Sequence, residues 1–259
     1  MRKFVGYFLP LVFLLAPLFA QAAITLDATS SNYVSSGTSI NTTLSVSSSN
    51  EMVVACIYGQ YSTSPATPTV TYGGVTMSTA WMSLGTQFGG WEPGIFYLYN
   101  PPTGSNTLTV SWGQTMSGQS VIASSWQGTA SYIGATSTAL NRTATPSVTN
   151  TTIYANSDDI DCAAYNVIAT LAPSGTNQAL LKLDNTNGNR DYMSSYQTTT
   201  SPGSYTMSWS GGSGTPAWYD NVLELPIGSS TTSGAPARPS MLEIWGGFFR
   251  QLGGSIRIY

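Results

Sequence analysis

Short stretches in which apolar and polar residues alternate run from Ile24 to about Ile227. Alternation with a period of two is typical of strands that bury one face, and Val, Ile, Thr and Tyr are enriched in these stretches. The predicted strands are Thr38–Val46, Glu51–Tyr58, Thr69–Tyr72, Ile95–Tyr99, Asn106–Trp112, Ser120–Gln127, Ile160–Thr170, Asp191–Gln197, Ser204–Ser210 and Asn221–Leu225. Helical periodicity is absent from this region, so the pattern predicts an all-β fold.

Glycine-rich turns separate the predicted strands, for example at Tyr72-Gly73-Gly74 and Pro202-Gly203. Regularly spaced short strands with such turns predict a two-sheet antiparallel β-sandwich, similar to a jelly roll, over residues 23–227. A weak internal repeat accompanies them: the segment before Cys56 resembles the segment before Cys162, and the segment ending at Trp112 resembles the one ending at Trp209. The offsets are close to 106 and 100 residues, which indicates two similar halves.

Residues 1–22 have the pattern of a secretory signal. Arg2 and Lys3 precede an apolar stretch, and Ala20-Gln21-Ala22 offers a small-x-small cleavage site. A transmembrane anchor is the alternative, but Pro10 and Pro17 interrupt the stretch and it is short for a span. We therefore expect an exported protein, secreted or held at the cell surface, with no membrane span after cleavage.

Cys56 and Cys162 are the two cysteines of the chain. An even number of cysteines in an oxidising compartment suggests a disulfide. Two buried free thiols are the alternative, because cysteine is among the most buried residue types.

Three segments carry a resemblance to a known group of proteins. They are Tyr72-Gly73-Gly74-Val75-Thr76-Met77, the stretch from Tyr97 to Val110 with the following Trp126 strand, and Pro202-Gly203-Ser204-Tyr205. In these segments the chain resembles a widespread group of uncharacterised exported bacterial β-sandwich proteins that are similar to concanavalin A-like and jelly-roll domains. The likeness covers most of residues 40–227 and implies a fold; it implies no catalytic residues, because the group shares no catalytic motif.

The C-terminal part of the sequence differs from the strand-rich region. Residues 228–239, rich in Gly, Ser, Thr, Ala and Pro, predict a flexible linker. In residues 240–259 a capping box at Ser240–Glu243 and helically spaced apolar residues favour a short amphipathic helix, while Gly246 and Gly247 favour a hairpin instead. This apolar tail predicts docking on its own domain, self-association, or contact with a membrane surface.

Composition excludes several kinds of chemistry. The chain has no histidine, which removes Ser-His-Asp and Cys-His catalysis and imidazole metal sites. Charged residues make up only 7% of the chain and the net charge is −3, so nucleic acid is not an expected partner. Most polar character comes instead from Ser and Thr.

The acidic residues are candidates for a catalytic pair and for calcium ligands. Asp159 and Asp161 have the alternate spacing found in glucanases, but no third acid continues the series, so we interpret them as a strand entry. A calcium site at Asp158–Asp161, or in the Asp184–Asp191 segment, stays an open alternative; we otherwise expect no metal and no cofactor.

Aromatic residues beside carboxylates give the ligand-binding hypothesis. Trp112, Trp126 and Trp209 lie in predicted strands and are expected in the core. The predicted glycan-binding residues lie in predicted loops, and they are Trp91, Glu92, Trp218, Tyr219 and Asp220. Aromatic rings stack on the C–H faces of sugars while acids bind their hydroxyls. The alternative is that these rings cap the edge of the sandwich.

Three functions remain. The sequence favours a secreted, non-catalytic module that binds a glycan or another cell-surface polymer through loop aromatics. A structural subunit of a surface layer, fibre or particle, assembled through the C-terminal tail, is the second. An extracellular glycan hydrolase or lyase is the third.

Overall fold

The computed structural model describes residues 23–61, 64–84, 90–184 and 190–228, and in these residues every regular element is a strand. The strands are β1 (Thr25–Val34), β2 (Gly37–Val46), β3 (Glu51–Tyr61), β4 (Thr69–Tyr72), β5 (Val75–Thr76), β6 (Ser78–Met82), β7 (Trp91–Tyr99), β8 (Gly104–Gln127), β9 (Thr136–Arg142), β10 (Ser147–Thr152), β11 (Asp158–Tyr165), β12 (Ala172–Pro173), β13 (Gln178–Asp184), β14 (Asp191–Thr198), β15 (Gly203–Ser210) and β16 (Ala217–Leu225). All pairings are antiparallel, which confirms the predicted all-β sandwich.

The first half of the fold is organised around the 24-residue strand β8. Its N-terminal part lies between β2 and β4, and its C-terminal part lies between β1 and β3. Leu108 and Val110 from one part share a core cluster with Val121 and Ala123 from the other, so the strand bends and its two parts belong to facing layers. Gly113, with φ of 68°, adopts a left-handed conformation between them that favours glycine.

The second half repeats this pairing scheme with separate strands. β9, β11, β14 and β13 join β16 in one sheet, as β1, β3, β7 and β6 join the C-terminal part of β8. β10 and β12 flank β15, as β2 and β4 flank the N-terminal part of β8. The two halves therefore have the same topology, in agreement with the internal repeat seen in the sequence.

Strand register fixes which residues correspond. Cys56 pairs with Ile122, and Cys162 pairs with Asn221. The cysteines are 106 positions apart and their partners are 99 apart (221 − 122 = 99). The same two offsets relate the β2–β8 pairs to the β10–β15 pairs and the β3–β7 pairs to the β11–β14 pairs. Residues of β2 and β3 thus correspond to residues 106 later, and residues of β7 and β8 to residues 99 later.

The strands form four sheet layers, with a hydrophobic core between each layer and the next. Alternate residues of β3 point in opposite directions: Val53 and Ala55 join the core of the first sandwich, whereas Val54 and Cys56 join a central core shared with β11, β14 and β16. Beyond those strands, Met207 and neighbouring apolar residues form the interior of the second sandwich. Trp112, Trp126 and Trp209 are buried, as predicted.

A disulfide joins Cys56 of β3 to Cys162 of β11 in the central core, with the two Cα atoms 5.4 Å apart. The bonded alternative for the cysteines is therefore the one that the structure contains. Because the two cysteines occupy corresponding positions, the bond links the two inner sheets at equivalent points.

Within the described residues, no helix has the length and apolar character needed to cross a membrane. The predicted signal (residues 1–22), nearly all of the linker (228–239) and the tail (240–259) lie outside the described residues.

Candidate functional site

The five predicted ligand-binding residues lie in strands and not in loops. Trp91 and Glu92 begin β7, and Trp218, Tyr219 and Asp220 belong to β16. None is more than 3% exposed. The prediction of a loop position was wrong because the neighbouring Pro and Gly residues do not end the strand: β7 continues through Pro93 and Gly94 as a paired strand.

Trp91 shows what these aromatic residues do. Its ring lies edge-on to Tyr58, with ring centroids 5.4 Å apart, and 5.7 Å from Tyr219 in a tilted arrangement. The guanidinium carbon of Arg190 lies 5.4 Å from the centre of the Trp91 ring. These contacts join the two halves across the central core, and no face of the ring is open for a sugar.

Glu92 has a structural counterpart in Asp191, 99 positions later. Glu92 Oε1 accepts a hydrogen bond from the backbone N–H of Ala66 at 2.7 Å, and Asp191 Oδ2 accepts one from the N–H of Ala169 at 2.8 Å. Burial raises the pKa of Glu92 to about 7 and also raises the pKa of Asp191. In both halves, one buried carboxyl thus holds the segment that follows the third strand of that half.

The second sandwich encloses further carboxyls, which include the alternately spaced pair Asp159 and Asp161. Asp161 Oδ1 accepts hydrogen bonds from Ser195 N at 2.6 Å and Ser195 Oγ at 2.7 Å, and Asp161 Oδ2 accepts one from Trp209 Nε1 at 2.9 Å. Asp159 Oδ1 accepts one from Asn150 Nδ2 at 2.8 Å. Burial raises the pKa of Asp159 to about 7 and that of Asp161 to about 6. Both are fully buried, so neither can reach a polysaccharide chain.

Asp220 lies in the same interior without a comparable set of partners. It is completely buried, and neither carboxyl oxygen accepts a hydrogen bond with good geometry from the described residues. Burial raises its pKa well above the ordinary value and repulsion from Asp161 adds to the rise, while the nearby N–H of Asn221 lowers it only weakly. Both effects favour the protonated, neutral form of the carboxyl.

Glu224 stabilises a turn. It accepts hydrogen bonds from the backbone N–H groups of Ile153, Tyr154 and Ala135. Ser48, which corresponds to Tyr154, donates its N–H to Glu51 in the first half at 2.7 Å. The same turn is thus held by a buried carboxyl in each half.

The structure does not assemble the calcium ligands that the hypothesis requires. In the described part of the chain, no group of three or more acids or cysteines is placed to hold a metal ion. Asp184 ends β13 and Asp191 begins β14, and residues 185–189 between them lie outside the described residues.

The outer surface has a different character from the interior. The two outermost layers each present an array of small polar side chains, because alternate residues of their strands point away from the core. The first hydroxyl face consists of Ser39, Asn41, Thr43, Ser45, Ser105, Thr107 and Ser111. The second hydroxyl face consists of Ser147, Thr149, Thr151, Ser204, Thr206 and Ser210.

The two hydroxyl faces correspond through the repeat. Thr43 pairs with Thr107 on the first, and Thr149 pairs with Thr206 on the second. The Thr149 and Thr206 hydroxyl oxygens are 2.9 Å apart, and those of Thr151 and Ser204 are 3.2 Å apart. Hydroxyl–hydroxyl bonds leave each oxygen a further position for a donor or an acceptor. The faces therefore offer ordered, neutral hydrogen-bonding groups.

The sequence signal for these two faces is the alternation of small polar and apolar residues in Thr38–Val46 and Ser204–Ser210, and not the position of aromatic residues.

The chain matches no protein-family model, and neither the curated proteins nor the solved structures yield a match.

Proposed function

We propose that the chain is an exported, non-catalytic module that binds a neutral, hydroxyl-rich polymer, such as a glycan, at or outside the cell surface. The two hydroxyl faces make the contact. This keeps the class of function that the sequence favours, but the binding surfaces are the two polar sheet faces and not loop aromatic residues.

The proposal rests on the burial of the acidic side chains, which leaves the outer sheet faces neutral. Nine of the ten acidic residues in the described part of the chain are buried, where they hold backbone N–H groups or share a core. The outer sheets instead present Ser, Thr and Asn. A neutral polyol forms hydrogen bonds with such a surface at little electrostatic cost, whereas a charged partner finds no counter-charge there.

The proposed binding has a diagnostic salt dependence. Attraction between charged surfaces weakens as salt is added, because the Debye length falls from about 10 Å at 0.1 M to 3 Å at 1 M. Hydrogen bonding between neutral groups depends little on that screening. We therefore expect retention of the protein on insoluble cellulose, chitin, starch or mannan to be the same at low and high salt.

The test places a carboxylate in the centre of each face through Thr43→Glu and Thr149→Glu, combined in one protein. Thr136→Glu, on the exposed edge strand β9, is the matched control. Retention of the control but not of the double variant supports the proposal. Absence of retention of the wild-type protein on all four polymers, or equal retention of both variants, contradicts it.

The second candidate function is assembly into a layer or fibre through residues 240–259. Size-exclusion chromatography distinguishes it from polymer binding. A chain that self-associates through its tail elutes as an oligomer in size-exclusion chromatography and becomes a monomer when Ser240–Tyr259 is deleted. That result, without retention on polysaccharide, would replace the binding function by the structural one.

A further inference from the structure

A polar groove lies beside the second hydroxyl face, between the end of β14, the N-terminal part of β15 and the loop that connects β12 to β13. The volume of the groove is about 430 Å³, within the range of roughly 300–1,000 Å³ typical of small-molecule sites. The lining residues are Thr176, Asn177, Gln197, Thr198, Thr200, Ser204, Tyr205 and Thr206. All of them are neutral, and one is aromatic.

Gln197 gives this groove an unused hydrogen-bond acceptor. The residue is only 3% exposed, and its Nε2 donates to the backbone oxygen of Thr176, which fixes the orientation of the amide. Its Oε1 accepts no hydrogen bond from the described residues. Buried side-chain acceptors nearly always have a donor, so this oxygen, in a residue that lines an open groove, indicates a ligand that donates.

Tyr205 supplies an aromatic surface in a fixed position. Its hydroxyl donates to the backbone oxygen of Ser201 at 2.8 Å, and its side chain is partly exposed at the groove. A tyrosine ring held in this way loses little conformational freedom when an apolar ligand face packs on it.

We propose that this groove binds one sugar ring of a neutral polysaccharide, so that the inference rests on the proposed function and names the site within it. Gln197 Oε1 has almost no exposed area in the free protein, so a small shift of this side chain opens it to a donating hydroxyl of the sugar, while the C–H face of the ring packs on Tyr205. Ser204 and Thr206 belong both to the groove and to the second hydroxyl face, so the polymer continues from one onto the other.

The repeat distinguishes this groove from the general surface of the fold. By the offset of 99, Gln197 corresponds to Leu98 and Tyr205 to Asn106, so the first half has neither the buried amide nor the aromatic ring. The fold does not need these two side chains for its own pairing. Each also holds a neighbouring loop through its hydrogen bond to Thr176 or Ser201, and we assign the exposed surface that they add to the proposed ligand site.

The experiment compares affinities for soluble oligosaccharides of cellulose, chitin, starch and mannan by isothermal titration calorimetry. Gln197→Leu introduces the residue of the other half and removes the acceptor. Tyr205→Ala removes the ring from a partly exposed position, which guards against a folding defect in the first variant. Tyr132→Ala, at an exposed tyrosine away from the groove lining, is the matched control.

We expect each groove variant to raise the dissociation constant about tenfold or more, since each removes one principal contact. Tyr132→Ala is expected to bind like the wild type. Wild-type binding that both groove variants leave unchanged overturns the groove and leaves the proposed function intact. Wild-type protein that binds neither the oligosaccharides nor the insoluble polymers overturns both.

Discussion

Replacement of Asp220 by valine tests the account of the buried carboxyls most directly. Asp220 corresponds to Val121 in the first half, through the offset of 99, and both residues are completely buried. The substitution therefore places in the second sandwich the side chain that the first sandwich already packs at the equivalent point. We expect Asp220→Val to stabilise the protein.

The size of the gain follows from the hydrogen bonds that Asp220 lacks. A buried polar group without partners costs about 1–3 kcal/mol of folding free energy, and a valine at this position does not incur that cost. For a domain of this size, each kcal/mol shifts the thermal midpoint by roughly 2–4 °C. The predicted increase in Tm at pH 4, where the titration of Asp220 adds least to the gain, is therefore between about 2 and 12 °C.

The stability that Asp220→Val gains over the wild-type protein increases with pH. The folded-state pKa of Asp220 lies well above its unfolded value of about 3.9. Between these two values the native state holds a proton that the unfolded state has lost, so wild-type stability falls as pH rises, by up to about 1.4 kcal/mol per pH unit. Valine does not titrate, so the advantage of the variant is smallest near pH 4 and larger at pH 7.

Urea unfolding followed by tryptophan fluorescence at pH 4, 5.5 and 7 measures this difference. Asp161→Ala is the matched control, because Asp161 corresponds to Ala55 but accepts hydrogen bonds from Ser195 and Trp209. Its replacement leaves buried donors unpaired and destabilises the protein. If Asp220→Val destabilises as Asp161→Ala does, or if its advantage does not change with pH, the reasoning about the unpartnered carboxyl is wrong.

Three further predictions concern the buried carboxyl of Glu92, the disulfide and the buried ring of Trp91. Glu92→Gln keeps an acceptor for the Ala66 N–H but cannot ionise, so its gain in Tm over wild type grows between about pH 4.5 and 7 and then levels off; a flat difference would contradict the raised pKa. Replacing Cys56 and Cys162 by alanine lowers the unfolding free energy in urea by roughly 4–5 kcal/mol, from the loop-entropy model, and an unchanged midpoint would refute this. Trp91→Ala costs about 3–5 kcal/mol in the same assay, whereas a stable variant would mean that the ring is not core.

Much of the fold follows from the sequence because the strands that bury apolar residues have a clear period of two. β2, β3 and β15 were predicted close to their observed bounds for this reason. β1 and β9 were missed because few of their residues are strongly apolar and most are only partly buried. The predicted strands Asn106–Trp112 and Ser120–Gln127 are two parts of one strand, since β8 continues through its bend.

The site was harder to predict than the fold because burial of a carboxyl or an aromatic ring in the core depends on how the sheets pack, which the local sequence does not reveal. Trp218-Tyr219-Asp220 follows Pro216, and only pairing with β9 and β11 shows that it is a central strand. The correspondence of Glu92 with Asp191 was also hidden, because the offset changes from 106 to 99 between the strands of the repeat. The groove at Gln197 depends on a loop, β14 and β15 meeting in space, which no spacing in the sequence reveals.

The positions of the two hydroxyl faces on the outermost of four layers have a consequence for valency. Sheets that pack face to face lie about 10 Å apart, so these two surfaces point in opposite directions across roughly 30 Å. Under the proposed function, in which both faces bind polymer, a single copy would bridge two polymer chains without forming a dimer. The protein would then cross-link the polymer that it binds.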